Sequence, residues 1–274
     1  MPYRRACWAM LMLAPVILLA FWPAYFGVLP TAPFAFHAHG LTATVWLLLV
    51  GFQSWSAHRA DRRLHRTAGL AVFAAVPLFA GAAVLVLHSM ATKFALKSDP
   101  FYAALGARLG LHDIISTVAL VALVCTALAR RRNIAVHAAC LLGTAILVLP
   151  PVVARLPIPR FFHSGEIIAL ALALLAAWRE PRGRGPFLAV AAIQVVHILA
   201  FETVGAGDDW ARIVIRFSTL PVAPFAAAAG LAALAALVLA WRRTPPRRAP
   251  NRPSRPKNQP AYLAASSSEI SSLE

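Results

Sequence analysis

The chain consists largely of apolar stretches that are long enough to cross a lipid bilayer as helices. A helix needs about 20 consecutive apolar residues to cross the hydrocarbon core. A lipid-exposed open sheet would leave backbone groups without partners, and the sequence lacks the ten-residue alternation of a membrane barrel. The pattern therefore predicts an all-α polytopic membrane helix bundle. We expect about eight transmembrane helices, at approximately residues 7–29, 35–55, 67–88, 109–129, 134–154, 162–178, 186–204 and 219–241.

Composition indicates that lipid, and not water, is the main solvent of this chain. Hydrophobic residues make up 60% of the sequence and charged residues only 13%, whereas soluble domains carry about 25% charged residues. The three cysteines, Cys7, Cys125 and Cys140, fall in or beside apolar segments without metal-ligand spacing. We therefore expect reduced thiols and no disulfide framework.

The distribution of basic residues predicts the orientation of the helices. The net charge of +16 comes from short clusters between apolar runs. This distribution differs from a basic soluble face, so no nucleic-acid partner is expected. The termini and successive connections are assigned alternately to the two sides of the membrane. One side then carries nineteen Lys and Arg residues and the other carries seven. The side richer in Lys and Arg faces the cytoplasm. We therefore expect a bacterial inner-membrane protein with both termini in the cytoplasm.

Three further segments have their own interpretation. Arg4 and Arg5 precede an apolar run, as in a signal peptide, but residues 7–29 are too long for a typical cleaved segment and are interpreted as the first transmembrane helix. Residues 205–217 have two early Asp residues and apolar residues at helical spacing, which predicts a short helix on the outer membrane face. Residues 244–274 are rich in Pro, Arg and Ser, which predicts a disordered cytoplasmic tail after a bundle over residues 1–243.

Six of the nine histidines are predicted to lie in the outer half of the membrane. They are His37, His39, His88, His112, His163 and His197. The carboxylates Asp113, Glu166 and Glu202 accompany them. His163 and Glu166 are three residues apart, so they share a helix face and can present an imidazole and a carboxylate to one point. Ionisable groups within a span are costly and indicate a functional site by default.

The second predicted helix also carries a polar stripe along one face. The stripe comprises His39, Thr42, Trp46 and Gln53, at positions i, i+3, i+7 and i+14. In the seventh predicted helix, Gln194 precedes His197 by three residues. The alternative is that such groups only hydrogen-bond between helices and serve helix association. For Thr42, Ser116 and Gln194 we favour this alternative.

The leading functional hypothesis is a His-rich outer-leaflet cavity with a redox role. Imidazole with carboxylate suits a first-row transition metal, and imidazole alone suits haem iron. The cavity would bind a metal, a haem or a small redox molecule such as a quinone. Its cofactor-binding residues would be His39, His112, His163 and His197. The candidate ligands of a metal ion are His37, His39, His112, His163 and Glu166.

Two other classes of protein remain open. A small-solute transporter would use helices broken by Gly or Pro. The candidate breaks are Pro77 with Gly81, and Pro150 with Pro151. Protonation of Glu166 or His197 would then couple the cycle. Arg155 lies at an outer helix boundary, where it could bind an anion, although a phosphate headgroup of the lipid bilayer is the favoured partner. The third class is an accessory subunit without a cofactor.

One segment resembles a group of bacterial multi-pass membrane proteins of unassigned function. Their pattern is F-H-x-H, then W and Q on the same helix, then a basic loop that ends in L-H-R-x-x-G. The matching residues here are Phe36, His37, His39, Trp46, Gln53, Leu64, His65, Arg66 and Gly69. Ser54 stands where a Pro usually follows the Gln. The resemblance implies the membrane architecture and singles out His37, His39 and His65, but it implies no reaction.

Overall fold

The computed structural model describes residues 3, 6–59, 61–157 and 161–243, and every regular element within these ranges is helical. The tail predicted at 244–274 lies outside the described residues. The α-helices are α1 (Ala6–Phe21), α2 (Phe34–His58), α3 (Arg62–Gly69), α4 (Val72–Leu96), α5 (Pro100–Ala129), α6 (Ile134–Leu147), α7 (Leu149–Val153), α8 (Ser164–Arg179), α9 (Arg184–Glu202), α10 (Asp208–Ser218) and α11 (Val222–Arg242).

Within the described ranges, six helical segments are long and apolar enough to cross a membrane. They are Phe34–His58, Arg62–Leu96, Pro100–Ala129, Ile134–Val153, Pro181–Ala206 and Val222–Arg242. The other two predicted spans are also helical, but α1 and α8 have 16 residues each. At 1.5 Å per residue, such a helix is about 24 Å long, which is shorter than a hydrocarbon core of about 30 Å. The all-α membrane architecture therefore holds with six membrane-length helices.

Helix boundaries follow the capping residues and not the edges of the apolar runs. Asp99 accepts hydrogen bonds from the backbone of Phe101 and Tyr102, and Pro100 occupies the first turn of α5. These are favoured residues for the start of a helix, because they satisfy or remove backbone donors that have no helical partner. As a result α5 begins nine residues before the predicted span at 109, and only residues 97–99 separate it from α4.

The two predicted helix interruptions behave differently. Helix α4 continues through Pro77, whereas the fifth predicted span is divided into α6 and α7 at Val148. Pro150 and Pro151 have no N–H group, so two successive backbone bonds of a continuous helix cannot form there. This part of the bundle is therefore a discontinuous helix.

Small residues allow the closest contacts between helices. A Cβ atom on Gly81 would lie 3.1 Å from the carbonyl oxygen of Ala226, and one on Gly230 would lie 3.1 Å from that of Pro77. Close backbone approach at small residues is the usual packing of membrane helices, because lipid provides no hydrophobic drive for association. Helices α4 and α11 therefore pack almost backbone to backbone.

Large apolar side chains fill the centre of the bundle. The buried core includes Trp46, Val76, Leu120, Val124, Leu147, Val190 and Leu237. Trp46 Nε1 donates to Thr144 Oγ1 at 3.1 Å, which joins α2 to α6. The centre of the bundle is thus packed with apolar side chains around a single indole–hydroxyl contact.

The short helix predicted at 205–217 is present as α10. It packs against α4 and α5, where Val214 is buried and Trp210 Nε1 donates to the carbonyl of Ala107 at 2.7 Å. Asp208 and Asp209 lie in its first turn, where the partial positive charge of a helix N-terminus favours carboxylates. Arg212 forms an ion pair with Asp209 on the exposed face.

Candidate functional site

Three helices bring most of the predicted ionisable residues to one end of the bundle. Helix α5 contributes Arg108 and His112, the start of α8 contributes His163 and Glu166, and the end of α9 contributes His197 and Glu202. We call these six residues, together with Asp113, the α5–α8–α9 cluster. His163 is the residue before α8 and adopts a left-handed conformation, with φ of 62°, which histidine tolerates better than most residues.

The cluster begins with a continuous series of ionic contacts. Arg108 Nη1 donates to Glu202 Oε2 at 3.2 Å, and His163 Nε2 donates to Glu202 Oε1 at 2.8 Å. His163 Nδ1 lies 3.7 Å from Glu166 Oε2, as their i, i+3 spacing predicts. The other Glu166 oxygen, Oε1, lies 3.5 Å from His112 Nε2. One series of charged groups therefore connects all three helices.

Both imidazoles in this series lie between two carboxylates. His163 faces Glu202 and Glu166, and His112 faces Glu166 and Asp113, whose Oδ1 is 3.7 Å from His112 Nδ1. A neutral imidazole has only one N–H, so it presents a lone pair to one of its two carboxylates unless a proton is added. Three carboxylates face one guanidinium and two imidazoles. The cluster is therefore neutral only when two further protons are present.

Exposure falls from Glu202 through His163 and Glu166 to His112 and His197, whereas the side chains of Arg108 and Asp113 are 31% and 40% exposed. The side chain of Glu202 is 45% exposed, those of His163 and Glu166 are each 14% exposed, and that of His112 is 9% exposed. His197 is fully buried. The contacts thus connect the exposed carboxylates of Glu202 and Asp113 with the buried ring of His197.

His197 ends the series in a neutral, hydrogen-bonded environment. Its ring stacks on that of His112, with the centroids 3.9 Å apart and the planes inclined by 27°. Its Nε2 lies 3.1 Å from Ser116 Oγ, and its Nδ1 lies 3.4 Å from Gln194 Oε1. One nitrogen can donate to the amide oxygen while the other accepts from the hydroxyl, so a neutral ring satisfies both partners.

Three buried polar atoms in this region have no hydrogen-bond partner among the described residues. They are His112 Nε2, Gln194 Nε2 and His39 Nδ1. Nearly all buried polar atoms in folded proteins are hydrogen-bonded, so each exception indicates a water, an ion or a ligand. His112 Nε2 keeps its ionic contact with Glu166 at 3.5 Å but lacks hydrogen-bond geometry there.

The remaining predicted histidines lie outside the cluster. His37 Nδ1 is 3.0 Å from the hydroxyl of Tyr25, and His88 Nε2 donates to the carbonyl of Leu220 at 3.1 Å. The ring of His39 packs against Phe79, with the centroids 5.1 Å apart. The Asp113 carboxylate is close enough to interact electrostatically with His39, which places His39 beside the cluster and not within it.

The polar stripe of α2 divides into three kinds of contact. Thr42 Oγ1 donates to the carbonyls of Ala38 and His39 within its own helix. Trp46 makes the interhelical bond to Thr144 that is described above. Gln53 is buried, and a Cβ atom on Gly69 would lie 3.7 Å from its amide nitrogen and oxygen. The stripe therefore faces the bundle at Trp46 and Gln53 but forms no single site.

Arg155 has partners within the protein. Its Nη1 donates to the carbonyl of Pro151 at 2.9 Å, and its guanidinium carbon lies 4.8 Å from the ring centroid of Phe21. These contacts tie α7 to α1. Its predicted role at an anion or headgroup stays a prediction.

The described residues give no support to a metal or haem in this region. They contain no group of three or more His, Cys, Asp or Glu side chains arranged to hold a metal ion. His112 and His197 cannot ligate opposite faces of one iron while their rings stack at 3.9 Å. Metal binding by His37, His39, His112, His163 and Glu166 stays a prediction.

Surface clefts occur elsewhere in the molecule. One cleft of about 340 Å³ is lined by Asp61, Arg63, Leu64 and Thr67. Another of about 400 Å³ is lined by Leu174, Ala177, Trp178, Pro181, Arg184 and Leu188. Neither cleft is lined by a residue of the α5–α8–α9 cluster, whose side chains contact one another directly.

The role of Arg108 was not predicted, although the sequence carries a signal for it. Arg108, His112 and Ser116 recur every four residues, which places them on one face of α5. The structure brings this face against His197 and Glu202 of α9. Ionisable residues at helical spacing on α5 therefore include Arg108 together with His112.

Comparison with known protein families, curated proteins and solved structures finds no match to this chain.

Proposed function

We propose that this chain is an eight-span protein of the bacterial inner membrane, with both termini in the cytoplasm, and that it couples proton binding at the α5–α8–α9 cluster to transport of a small solute. The observation that carries the proposal is the pair of imidazoles held between three carboxylates. The charge of this group changes with each proton that it binds or releases. Proton-coupled transporters need such a group inside the membrane.

The discontinuous helix α6–α7 supports transport over other membrane functions. Transporters commonly form their sites beside broken helices, whose freed backbone groups line a path. The start of α8 packs directly on the break, since a Cβ atom on Gly165 would lie 2.6 Å from the carbonyl oxygen of Pro150. Glu166 is the next residue. A change in charge at Glu166 therefore acts at the helix whose backbone is already interrupted.

Unpartnered polar atoms support a solute site next to the proton site. His112 Nε2, Gln194 Nε2 and His39 Nδ1 come from three different helices and lack partners among the described residues. A polar solute that bound between α5 and α9 would supply the hydrogen bonds that His112 Nε2 and Gln194 Nε2 lack. Its binding would then depend on the charge of His112.

Two alternatives receive less support from this geometry. A metal or haem at the cluster would require the stacked rings of His112 and His197 to separate. An accessory subunit needs only helix association, which uncharged polar residues achieve at lower cost than buried ionisable groups. Both alternatives stay predictions.

The assignment of eight spans extends the six membrane-length helices to α1 and α8. Helix α8 packs along α9, with Ala169, Ala173 and Ala177 buried, and only residues 180–183 separate the two helices. A short connection makes neighbouring helices antiparallel, so α8 crosses the bundle in the direction opposite to α9. With eight spans, all the strongly basic connections share one side.

Charge movement in proteoliposomes tests the proposal without knowledge of the solute. The purified chain is reconstituted on a solid-supported membrane, and the current that follows a sudden drop in pH is recorded. We expect a transient inward charge displacement that is absent in Glu166→Gln and His163→Gln. Asp209→Asn removes an exposed carboxylate outside the cluster and should behave as wild type. A wild-type current equal to that of protein-free liposomes, or unchanged currents in both cluster variants, would refute proton binding.

A second stage separates proton binding from transport. The proteoliposomes contain a trapped pH dye and receive inward gradients of organic anions, organic cations or neutral sugars. Coupled transport predicts that one class changes the interior pH, with acidification for symport and alkalinisation for antiport, and that Glu166→Gln abolishes the change. No change in interior pH with any of the three classes would leave a proton-binding protein without transport and would overturn this half of the proposal.

A further inference from the structure

A second pair of histidines lies at the opposite end of the bundle from the α5–α8–α9 cluster. His65 belongs to α3 and His137 to α6, and their ring centroids are 6.4 Å apart with planes inclined by 75°. His137 contacts Ala127 of α5, which is fifteen residues, or about 22 Å of helix, from His112. The pair is therefore separate from the cluster, and an inference about it does not rest on the proposed function.

Backbone carbonyls determine the tautomer of both rings. His137 Nδ1 lies 2.8 Å from the carbonyl oxygen of Ala127, and His65 Nδ1 lies 3.3 Å from that of Gln53. A carbonyl oxygen only accepts, so in both rings the Nδ1 atom carries the hydrogen. Each Nε2 atom then carries the lone pair, and neither has a hydrogen-bond partner among the residues that the structure describes.

This is the arrangement of metal-ligating histidines. Such histidines almost always donate their second ring N–H to a carbonyl or carboxylate, which fixes the tautomer and the orientation of the ring. Ser56 strengthens the orientation of His65, because its Oγ lies 3.4 Å from His65 Nδ1 while it donates to the Gln53 carbonyl at 3.2 Å. Both imidazoles are thus held with the ligating nitrogen free.

The separation of the rings indicates the coordination geometry. With metal–nitrogen bonds of about 2.0 Å, two imidazoles on one metal have ring centroids roughly 5 Å apart at a tetrahedral angle and roughly 6 Å apart on opposite sides. The observed 6.4 Å is too long for the first case and leaves room for the second. By contrast, the 3.9 Å between His112 and His197 corresponds to neither.

The surroundings favour a metal centre of low charge. No third His, Cys, Asp or Glu of the described residues joins the pair in a metal-binding group, and the Arg131 guanidinium is close enough to interact with His137. A divalent ion with only two neutral ligands beside a cation would be poorly stabilised. Cu(I) accepts two ligands on opposite sides, and haem iron accepts two axial imidazoles while the porphyrin supplies the other four ligands.

We infer that His65 and His137 are the two ligands, on opposite sides, of a single metal centre. The shared chemistry is bis-imidazole coordination, and its two sources are a Cu(I) ion and the iron of a haem. Neither His65 nor His137 is among the ligands that the sequence predicts.

Titration of the full-length chain tests this inference. The chain is purified in detergent and stripped of metal. One sample is titrated anaerobically with Cu(I) in competition with a chromogenic chelator, and another with haemin while the absorbance spectrum is recorded. We expect one equivalent to bind in one of the two arms, and that arm identifies the source. Failure to bind one equivalent in either arm would overturn the inference.

Variants assign the binding to these residues. His65→Gln and His137→Gln should each weaken binding by at least about tenfold, since even the loss of a residue that only orients a ligand costs that much. His58→Gln is the matched control, because His58 lies at the same end of the bundle and its Nδ1 bonds the carbonyl of Ser54. It should bind as wild type, and equal weakening in all three variants would overturn the assignment.

A measurement on the wild-type chain protects the test from variants that fold poorly. X-ray absorption at the metal edge of the loaded protein should show two imidazole nitrogens at about 2.0 Å. For the haem source, the spectrum should be that of six-coordinate, low-spin iron. Sulfur neighbours, or five-coordinate iron, would exclude the His65–His137 pair as the ligand set.

Discussion

Buried polar side chains have two different roles in this protein. Trp46 and Thr144 form an isolated, uncharged contact in an apolar core, whereas Glu166 contacts two imidazoles at 3.5 and 3.7 Å. The first contact contributes to helix association. The second creates a group whose charge depends on protons, because a carboxylate between two imidazoles allows several protonation states.

The contribution of the Trp46–Thr144 contact can be measured with a double-mutant cycle. Trp46→Phe and Thr144→Val each remove the bond. Thr144→Val preserves the shape of the side chain, and the packing lost in Trp46→Phe cancels in the cycle because it is present with either residue at 144. We expect a coupling energy of about 0.6 kcal/mol, the average for interhelical hydrogen bonds in membranes, from unfolding in mixed SDS micelles. Strict additivity of the two variants would show that the contact contributes no stability, and the indole would then serve packing alone.

Residue spacing predicted the cluster only in part. The i, i+3 pair His163 and Glu166 and the shared face of Gln194 and His197 follow from the helix period, and the structure shows both. The sequence predicts both His39 and His112 as cofactor ligands, yet His39 packs on Phe79. The difference arises from the rotation of α2 within the bundle, which depends on all its neighbours and leaves no mark in the local sequence.

Among the helices, the most important irregularity is the interruption between α6 and α7. Both Pro77 and the pair Pro150 and Pro151 were candidate breaks, but only the pair divides its helix. A single proline removes one backbone bond and can be accommodated within a long packed helix. Two successive prolines remove adjacent bonds, and the helix is interrupted at Val148.

Gly165 joins the broken helix to α8, and its substitution tests that junction. Gly165→Ala would place a Cβ atom 2.6 Å from the Pro150 carbonyl oxygen. We expect a loss of about 1–3 kcal/mol in the free energy of unfolding, the usual cost of overpacking, together with reduced proton-induced charge movement.

Gly185→Ala is the control for this substitution. A Cβ atom on Gly185 meets nothing within 4 Å, and Ala is favoured over Gly in a helix by about 1 kcal/mol. The control should therefore be neutral or slightly stabilising. Equal effects at the two glycines would contradict the close contact between α7 and α8.

The proposed function depends on the side of the membrane that each connection between helices faces. Six helices have membrane length, and the proposal of eight spans adds α1 and α8. If α8 does not cross, α9 enters the membrane from the outside. Its end could then not lie beside the start of α5, as the contact between Arg108 and Glu202 requires.

Labelling of single cysteines in intact cells tests the eight-span arrangement. Ser98→Cys and Ala206→Cys lie in exposed connections that the proposal places outside, whereas Arg182→Cys lies in one that it places inside. A membrane-impermeant maleimide should label the first two in intact cells and label Arg182→Cys only after the membrane is opened. Labelling of Arg182→Cys but not Ala206→Cys in intact cells would show that α8 does not cross.

The sequence by itself determined that this is a helical membrane protein, because the length and apolarity of a segment decide its partition into lipid independently of its neighbours. It also determined which residues carry ionisable groups at helical spacing, such as His163 with Glu166. Only the tertiary structure decided that Arg108 joins them, that His39 lies beside the cluster, and that His65 faces His137. Those contacts depend on how each helix is rotated and shifted against the others, and rotation within a bundle is set by the packing of all its helices at once.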